Sequence, residues 1–123
     1  MTKVLDSFAL LAYLGKEPGY ILVQEALTKA AHGQEKLLIT TVNWGEIYYI
    51  IRRRHGINKA ESILNLIETF PIQRIPADTS LTKEASIIKT THSLSYADCF
   101  AAALAKMHKA ILLTGDNEFK SLE

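Results

Sequence analysis

Four acidic side chains stand at places in the sequence where a carboxylate can do chemistry. They are Asp6, Glu46, Asp98 and Asp116, and three of them belong to a set of only four aspartates in the chain. Carboxylates that meet at one place repel each other, and a divalent cation between them is the common remedy. A donor set of oxygens alone suits Mg²⁺ or Mn²⁺ better than zinc. The four acids therefore predict a divalent-metal site if the fold brings them together.

The elements that must position these acids are short apolar segments that alternate with longer amphipathic ones. This alternation predicts an α/β fold, with a central parallel sheet of about four short strands flanked by helices. Because crossover connections are right-handed, successive strands point the same way and share a carboxyl edge, where ligands bind. The predicted strands are 4–5, 37–39, 72–75 and 110–113, and the predicted helices are 8–14, 18–33, 43–55, 58–70, 78–90 and 95–109.

The acids fall at that carboxyl edge. Asp6 ends the first strand, Asp116 follows the last strand, and Glu46 and Asp98 lie in the opening turns of helices. Glu46 and Asp98 also have a structural explanation, since Asn43-x-x-Glu46 and Ser95-x-x-Asp98 both match a helix capping box. The same pattern recurs at Asn58-x-x-Glu61, where no chemistry is expected.

Of the four acids, Asp6 is the hardest to explain by a purely structural role. It interrupts an apolar stretch, and a buried carboxylate must be paired, hydrogen-bonded or bound to a metal. The hydroxyls of Ser7 and Thr114 lie close to these acids in sequence and could hold a ligand or a water. Such a site suits hydrolysis of a phosphodiester by an activated water, by in-line displacement and without a covalent enzyme intermediate.

Composition limits the alternatives. The chain has 123 residues, 48% of them hydrophobic and 22% charged, which predicts one folded domain over 1–123. The net charge of +1 excludes a strongly basic nucleic-acid binder, and no apolar run exceeds seven residues, so no membrane span is expected. The single cysteine, Cys99, favours a reducing, cytoplasmic location and is interpreted as a small core residue. The spacing of the four histidines does not indicate a zinc site.

Taken in order, four short motifs resemble the signature of the PIN-domain family, and in particular the VapC-type toxins of prokaryotic toxin–antitoxin pairs. The resemblance covers nearly the whole chain. The motifs are Val4-Leu5-Asp6-Ser7, Asn43-x-x-Glu46, Ser95-Tyr96-Ala97-Asp98 and Thr114-Gly115-Asp116-Asn117-Glu118-Phe119.

The resemblance implies a ribonuclease that depends on Mg²⁺ or Mn²⁺ and acts on an RNA substrate. By motif position Asp6, Asp98 and Asp116 would be direct metal ligands. Glu46 would reach the metal through water or orient the attacking water, and Thr114, Ser7 and Asn43 would support the site. Glu118 would be a fifth, peripheral carboxylate or merely an exposed turn residue. The resemblance also implies a homodimer and an antitoxin partner that places a basic side chain in the acidic pocket.

Two departures from the family pattern are visible. The chain ends at Glu123, where many relatives continue into a final strand, so a fifth edge strand is expected to be absent. Asn117 stands where some members have a further acid or a proline, which leaves a second metal site open.

Basic and aromatic residues near Glu46 allow more than one interpretation. The run Arg52, Arg53 and Arg54 either contacts RNA phosphates, contacts a partner, or complements the helix dipole at the end of its helix. The aromatic residues Trp44, Tyr48 and Tyr49 either stack on a base or pack in the core or a dimer interface. Two other functions also stay open: an RNA-processing nuclease without an antitoxin, and a non-catalytic protein-binding module that keeps the fold.

Overall fold

The computed structural model describes residues 1–114, and all structural statements below concern that part of the chain. It confirms an α/β fold with a parallel sheet flanked by helices. The strands are β1 (Thr2–Leu5), β2 (Lys36–Thr40), β3 (Ile72–Ile75) and β4 (Ile111–Leu113). The helices are α1 (Ser7–Leu14), α2 (Tyr20–Ala31), α3 (Thr41–His55), α4 (Ile57–Ile67), α5 (Thr79–Thr91) and α6 (Tyr96–Met107).

The four strands that residues 1–114 contribute form one sheet in the order β3-β2-β1-β4, and every pair is parallel. Val4 of β1 is in register with Leu38 of β2 and with Leu112 of β4. Because β1 and β2 are central, the first turns after Leu5 and Thr40 lie side by side at the carboxyl edge. A helix that returns to the start of a strand must begin at this edge, so α6, which leads into β4, opens here too.

Successive residues of the central strands point to opposite faces of the sheet, as the pleat requires. On one face Val4 and Leu38 pack against α5 and α6. On the other face Leu5 packs with residues of α1 and α2, and Ile39 packs with residues of α1, α3 and α4. The central strands β1 and β2 are therefore buried on both sides at these residues, which is why they appear in the sequence as short apolar runs, whereas Gln73 and Arg74 of β3 are exposed.

The starts of helices α3 and α4 differ from the predictions. Helix α3 begins at Thr41 rather than at position 43, because the hydroxyl of Thr40 caps it by accepting from the backbone N–H of Asn43. The capping-box interpretation of Glu46 is therefore wrong, since Glu46 lies beyond the first turn. The interpretation of Asn58-x-x-Glu61 as a capping box is also wrong, because α4 begins at Ile57 after Gly56 and has no side-chain cap.

Within residues 1–114, none of the helices combines the length and the apolar character needed to cross a bilayer.

Gly56 joins α3 to α4 in a backbone conformation (φ 88°, ψ 176°) that is open essentially to glycine alone. We expect Gly56→Ala to lower the free energy of unfolding by about 1–3 kcal/mol, because the penalty for this conformation falls on any residue with a Cβ. Urea denaturation followed by circular dichroism measures the change.

Gly45→Ala is the matched control. A Cβ at either glycine meets no atom within 4 Å, but Gly45 lies inside α3 with ordinary helical backbone. Alanine there should raise the free energy of unfolding by up to about 1 kcal/mol. Equal effects at the two positions would show that the backbone of Gly56 is not the cause.

Candidate metal and nuclease site

Buried polar side chains are concentrated at one place in the structure. Residues 1–114 contain six of them, and all six belong to the carboxyl ends of β1 and β2, the start of α1, the first two turns of α3 or the first turn of α6. Burying a polar or charged group costs free energy unless other groups satisfy it. Their concentration at the carboxyl edge marks this edge as a candidate functional site. The six are Asp6, Ser7, Thr40, Asn43, Glu46 and Asp98.

Asp6 is fully buried and its carboxylate contacts two parts of the chain. Oδ1 accepts a 2.7 Å hydrogen bond from the backbone N–H of Ala9, so Asp6 is the N-cap of α1. Oδ2 accepts from the hydroxyl of Thr114, and the backbone N–H of Asp6 donates to the carbonyl of Leu113. The structure thus gives Asp6 a capping role that the sequence did not indicate, and it places the predicted supporting hydroxyl of Thr114 on the same carboxylate.

Asn43 connects the chain segments that carry the acids. Its side-chain N–H groups donate to the hydroxyl of Ser7 (3.2 Å) and to the carbonyl of Ala97 (3.1 Å), and its Oδ1 accepts from the hydroxyl of Thr40 (2.6 Å). The hydroxyl of Ser7 also donates to the backbone carbonyl of Asn43. Through this one buried amide, the end of β1, the start of α3 and the start of α6 are held against each other.

Asp98 lies one residue after Ala97, in the first turn of α6, and is 1% exposed. Its backbone N–H donates to the hydroxyl of Ser95, which caps the helix. An acid in the first turn is favoured by the positive end of the helix dipole. The contact of Asn43 with Ala97 shows that the first turn of α6, which carries Asp98, lies at the same edge as Asp6.

Glu46 is nine-tenths buried and stands one turn after Asn43 on α3. Its Oε2 accepts a hydrogen bond from the hydroxyl of Tyr49 at 3.2 Å, whereas its buried Oε1 has no hydrogen-bond partner among the residues described. Loss of hydration and the negative charge of Glu46 raise the pKa of Tyr49 above its ordinary value, while Arg53 lowers it. Tyr49 therefore stays protonated and able to donate at neutral pH.

The donor set fits a hard divalent cation in type, because Asp6, Glu46 and Asp98 offer carboxylate oxygens and Oε1 of Glu46 is buried without a partner. Residues 1–114 do not by themselves form a cluster of three or more side chains able to hold a metal ion. The predicted fourth ligand, Asp116, lies outside the described residues, as do Asn117 and the peripheral acid Glu118.

The basic run ends α3 and is exposed. Arg52 donates to the hydroxyl of Tyr48 (2.9 Å), and the guanidinium of Arg53 lies 5.4 Å from the ring centre of Tyr49. Arg54 lines a cavity between α1, α3 and α4. Arg53 is thus connected to Glu46 through Tyr49, although the run as a whole lies three turns from the start of the helix.

The aromatic residues beside Glu46 have different surroundings. Tyr48 packs against the core formed by α1, α3 and α4, whereas Tyr49 is 47% exposed. Trp44 is half-buried, with the guanidinium of Arg74 at 4.8 Å from its ring centre. Cys99 is fully buried, which confirms it as a core residue, and this burial raises the pKa of its thiol.

The sequence indicated Asn43 as a supporting residue of the site but not the contacts it makes, and it did not indicate the contact of Tyr49 with Glu46. The spacing of Glu46 and Tyr49, three residues apart on a helix, could have indicated their contact. The contacts of Asn43 with Ser7 and Ala97 span 36 and 54 residues, and no local signal predicts them.

Comparison with known proteins gives a consistent result. The model of the PIN domain family matches residues 3–123. The chain is similar to the solved structure of VapC20 from Mycobacterium tuberculosis, described as a toxin that cleaves the sarcin-ricin loop, with a TM-score of 0.75, 14% identity, and coverage of 98% of this chain and 94% of that one.

Two further structures are similar over 98% of this chain. One is VapBC2 from Rickettsia felis bound to a promoter DNA fragment (TM-score 0.75, 17% identity, 92% of that chain). The other is DNA-bound VapBC from Salmonella typhimurium (TM-score 0.73, 14% identity, 91% of that chain). The search of curated protein sequences gives no match.

We expect Asn43→Ala to lower the free energy of unfolding by about 3 kcal/mol, because it leaves the Ala97 carbonyl and the hydroxyls of Ser7 and Thr40 without the amide. Asn65→Ala, at an exposed position of α4, is the matched control and should change it by less than about 0.5 kcal/mol. Urea denaturation of both variants measures the difference. A near-neutral Asn43→Ala would mean that the amide does not hold the edge together.

Proposed function

The chain belongs to the PIN domain family, whose model spans all but its first two residues, and we propose that it is a metal-dependent endoribonuclease, the toxin of a type II toxin–antitoxin pair. In this proposal residues 1–123 are a single PIN domain. The reaction is hydrolysis of an RNA phosphodiester by water, without a covalent enzyme intermediate.

One observation carries the proposal: the buried polar side chains of residues 1–114 are gathered at the carboxyl edge, and three of the six are acids. Helix capping accounts for Asp6 by itself, but a protein that used the fold only as a scaffold would not need three buried carboxylates at the same edge, because uncharged residues cap helices equally well. The edge of a parallel sheet is also where folds of this class bind their ligands.

The acids have distinct proposed roles. Asp6, Asp98 and Asp116 would hold Mg²⁺ or Mn²⁺ directly, and Glu46 would orient a water. Nucleases with a PIN domain generally use divalent metal ions. Such an ion supplies charge neutralisation at the scissile phosphate and makes a bound water acidic enough to attack near neutral pH.

The polar residues around the acids keep the carboxylates in place. Thr114 donates to Oδ2 of Asp6, which fixes the rotation of that carboxylate. Ser7 and Asn43 hold the end of β1 against the start of α6, so that Asp6 and Asp98 keep a constant separation. Because these contacts exist in the free protein, little ordering is left for the moment of substrate binding.

The partner in this proposal is an antitoxin that covers the acidic edge with a basic side chain. The supporting observation is that several similar structures are described as VapBC complexes or as a toxin–antitoxin complex. A cation is the complement that buried carboxylates favour. The homodimer and the contact of Arg52, Arg53 and Arg54 with RNA remain predictions.

The test is cleavage of RNA by purified protein with Mn²⁺, with EDTA, and with Asp98→Asn in parallel. The panel contains mixed single-stranded RNA, total tRNA and total ribosomal RNA, with products resolved on denaturing gels. We expect cleavage in Mn²⁺, none in EDTA, and a loss of at least about 100-fold in Asp98→Asn, because the variant removes one charge of the acidic set.

Asp78→Asn is the matched control for this experiment. Asp78 caps α5 by accepting from the backbone N–H of Leu81, and an asparagine caps equally well. This variant should cleave like the wild type. Equal cleavage by Asp98→Asn and wild type would contradict the assigned site, and cleavage in EDTA would contradict the metal. A wild-type protein that cleaves none of the panel would instead favour a binding module.

A further inference from the structure

Within residues 1–114, Tyr49 is the one side chain that the structure shows hydrogen-bonded to the carboxylate of Glu46. We propose that Tyr49 is a positioning residue, an inference that rests on the proposed function. Its hydroxyl holds Oε2 of Glu46, so that Oε1 is the oxygen that would face the metal ion and its bound water. The contact is a hydrogen bond of 3.2 Å between residues one helical turn apart.

The two oxygens of Glu46 are treated differently by the protein. Oε2 has the Tyr49 hydroxyl, whereas Oε1 is buried and no hydrogen bond to it exists in the part of the chain described. A buried carboxylate oxygen without a hydrogen-bond partner is unfavourable in free energy. An arrangement that satisfies one oxygen and leaves the other ready is what a carboxylate needs in order to accept from a water or to face a cation.

The ring of Tyr49 is not held by the core, since it is 47% exposed. The guanidinium of Arg53, one turn further along α3, lies 5.4 Å from the ring centre. A cation over an aromatic face is attracted to the ring, and this contact restricts the orientations of the Tyr49 side chain. Glu46, Tyr49 and Arg53 therefore form a line along one face of α3, in which Arg53 restrains the tyrosine and the tyrosine restrains the acid.

Tyr48 supplies a matched control on the same helix. Its hydroxyl accepts from Arg52 at 2.9 Å, and the guanidinium of Arg52 lies 5.9 Å from its ring centre. Tyr48 thus has the same chemistry and the same type of arginine contact as Tyr49. The two tyrosines differ in that the hydroxyl of Tyr49 donates to Glu46, whereas the hydroxyl of Tyr48 accepts from Arg52 and its ring packs against the core formed by α1, α3 and α4.

The experiment measures Mn²⁺ binding directly, by electron paramagnetic resonance of free Mn²⁺ during titration of the RNA-free protein. We expect Tyr49→Phe to raise the Kd for Mn²⁺ by about 10-fold, the lower end of the loss seen when a partner that orients a metal-site carboxylate is removed. Tyr48→Phe should leave the Kd within about 2-fold of the wild type. Urea denaturation of each variant checks that the fold is intact.

A double-mutant cycle tests whether Tyr49 acts through Glu46. Because the aspartates are the proposed direct ligands, Glu46→Ala should still bind Mn²⁺, more weakly. Adding Tyr49→Phe to Glu46→Ala should then change the Kd by less than about 2-fold, since the hydroxyl has lost the group it positions.

The outcomes separate this inference from the proposed function. If the wild type binds no Mn²⁺, the proposed metal site itself is wrong. If the wild type binds Mn²⁺ and Tyr49→Phe binds it equally well, the positioning role is overturned while the metal site stands. An undiminished effect of Tyr49→Phe in the Glu46→Ala background would also overturn it.

Discussion

A single buried side-chain amide, that of Asn43, is the contact on which the arrangement of the carboxyl edge depends. It donates to the end of β1 through Ser7 and to the start of α6 through the carbonyl of Ala97, and it accepts from Thr40 at the end of β2. Three segments that are distant in sequence are joined by one group with two donors and one acceptor in use. An aspartate or a leucine of similar size could not replace it, because neither offers the two N–H groups.

This constraint explains why a polar cluster can exist inside a parallel sheet protein at all. The sheet below it is apolar on both faces, with Val4 and Leu38 on one side and Leu5 and Ile39 on the other. The free-energy cost of burying polar groups can be offset where the strands end, because helix N-termini bring unpaired backbone N–H groups to the same place. The carboxyl edge meets both conditions, so the fold concentrates there the acids that chemistry requires.

The parallel sheet could be predicted from the sequence because the signals for it are local. Short apolar runs, helix-length amphipathic segments and the right-handed crossover rule predicted a parallel sheet and put Asp6, Glu46 and Asp98 near one edge. Local patterns failed where two caps competed. Asn43-x-x-Glu46 resembles a capping box, yet Thr40 caps the helix instead and frees the Asn43 side chain for partners 36 and 54 residues away.

The difference between Tyr48 and Tyr49 was beyond the sequence for a related reason. Both follow Glu46 by two or three residues, and both have an arginine four residues later. Which of the two rings faces the core is decided by how α3 packs against α1 and α4, and that packing is set by residues far along the chain. The one signal in the sequence near these residues is the three-residue spacing of Glu46 and Tyr49. This spacing indicates that the two side chains contact each other, but not what the contact does.

The acids of this edge are structural and chemical at the same time, which governs how the site can be studied and how it can change. Asp6 caps α1 through one oxygen and meets Thr114 through the other, and Asp98 sits in a first helical turn where its charge is favourable. Removing either side chain entirely takes away a stabilising contact together with the charge. Asparagine keeps the shape and, at Asp6, the capping oxygen, so it removes the charge with a smaller structural loss, although its amide nitrogen in place of Oδ2 cannot accept from Thr114. A chain that lost its chemistry would therefore still be expected to keep polar residues at these positions, and what distinguishes an active site from a retained scaffold is the negative charge itself.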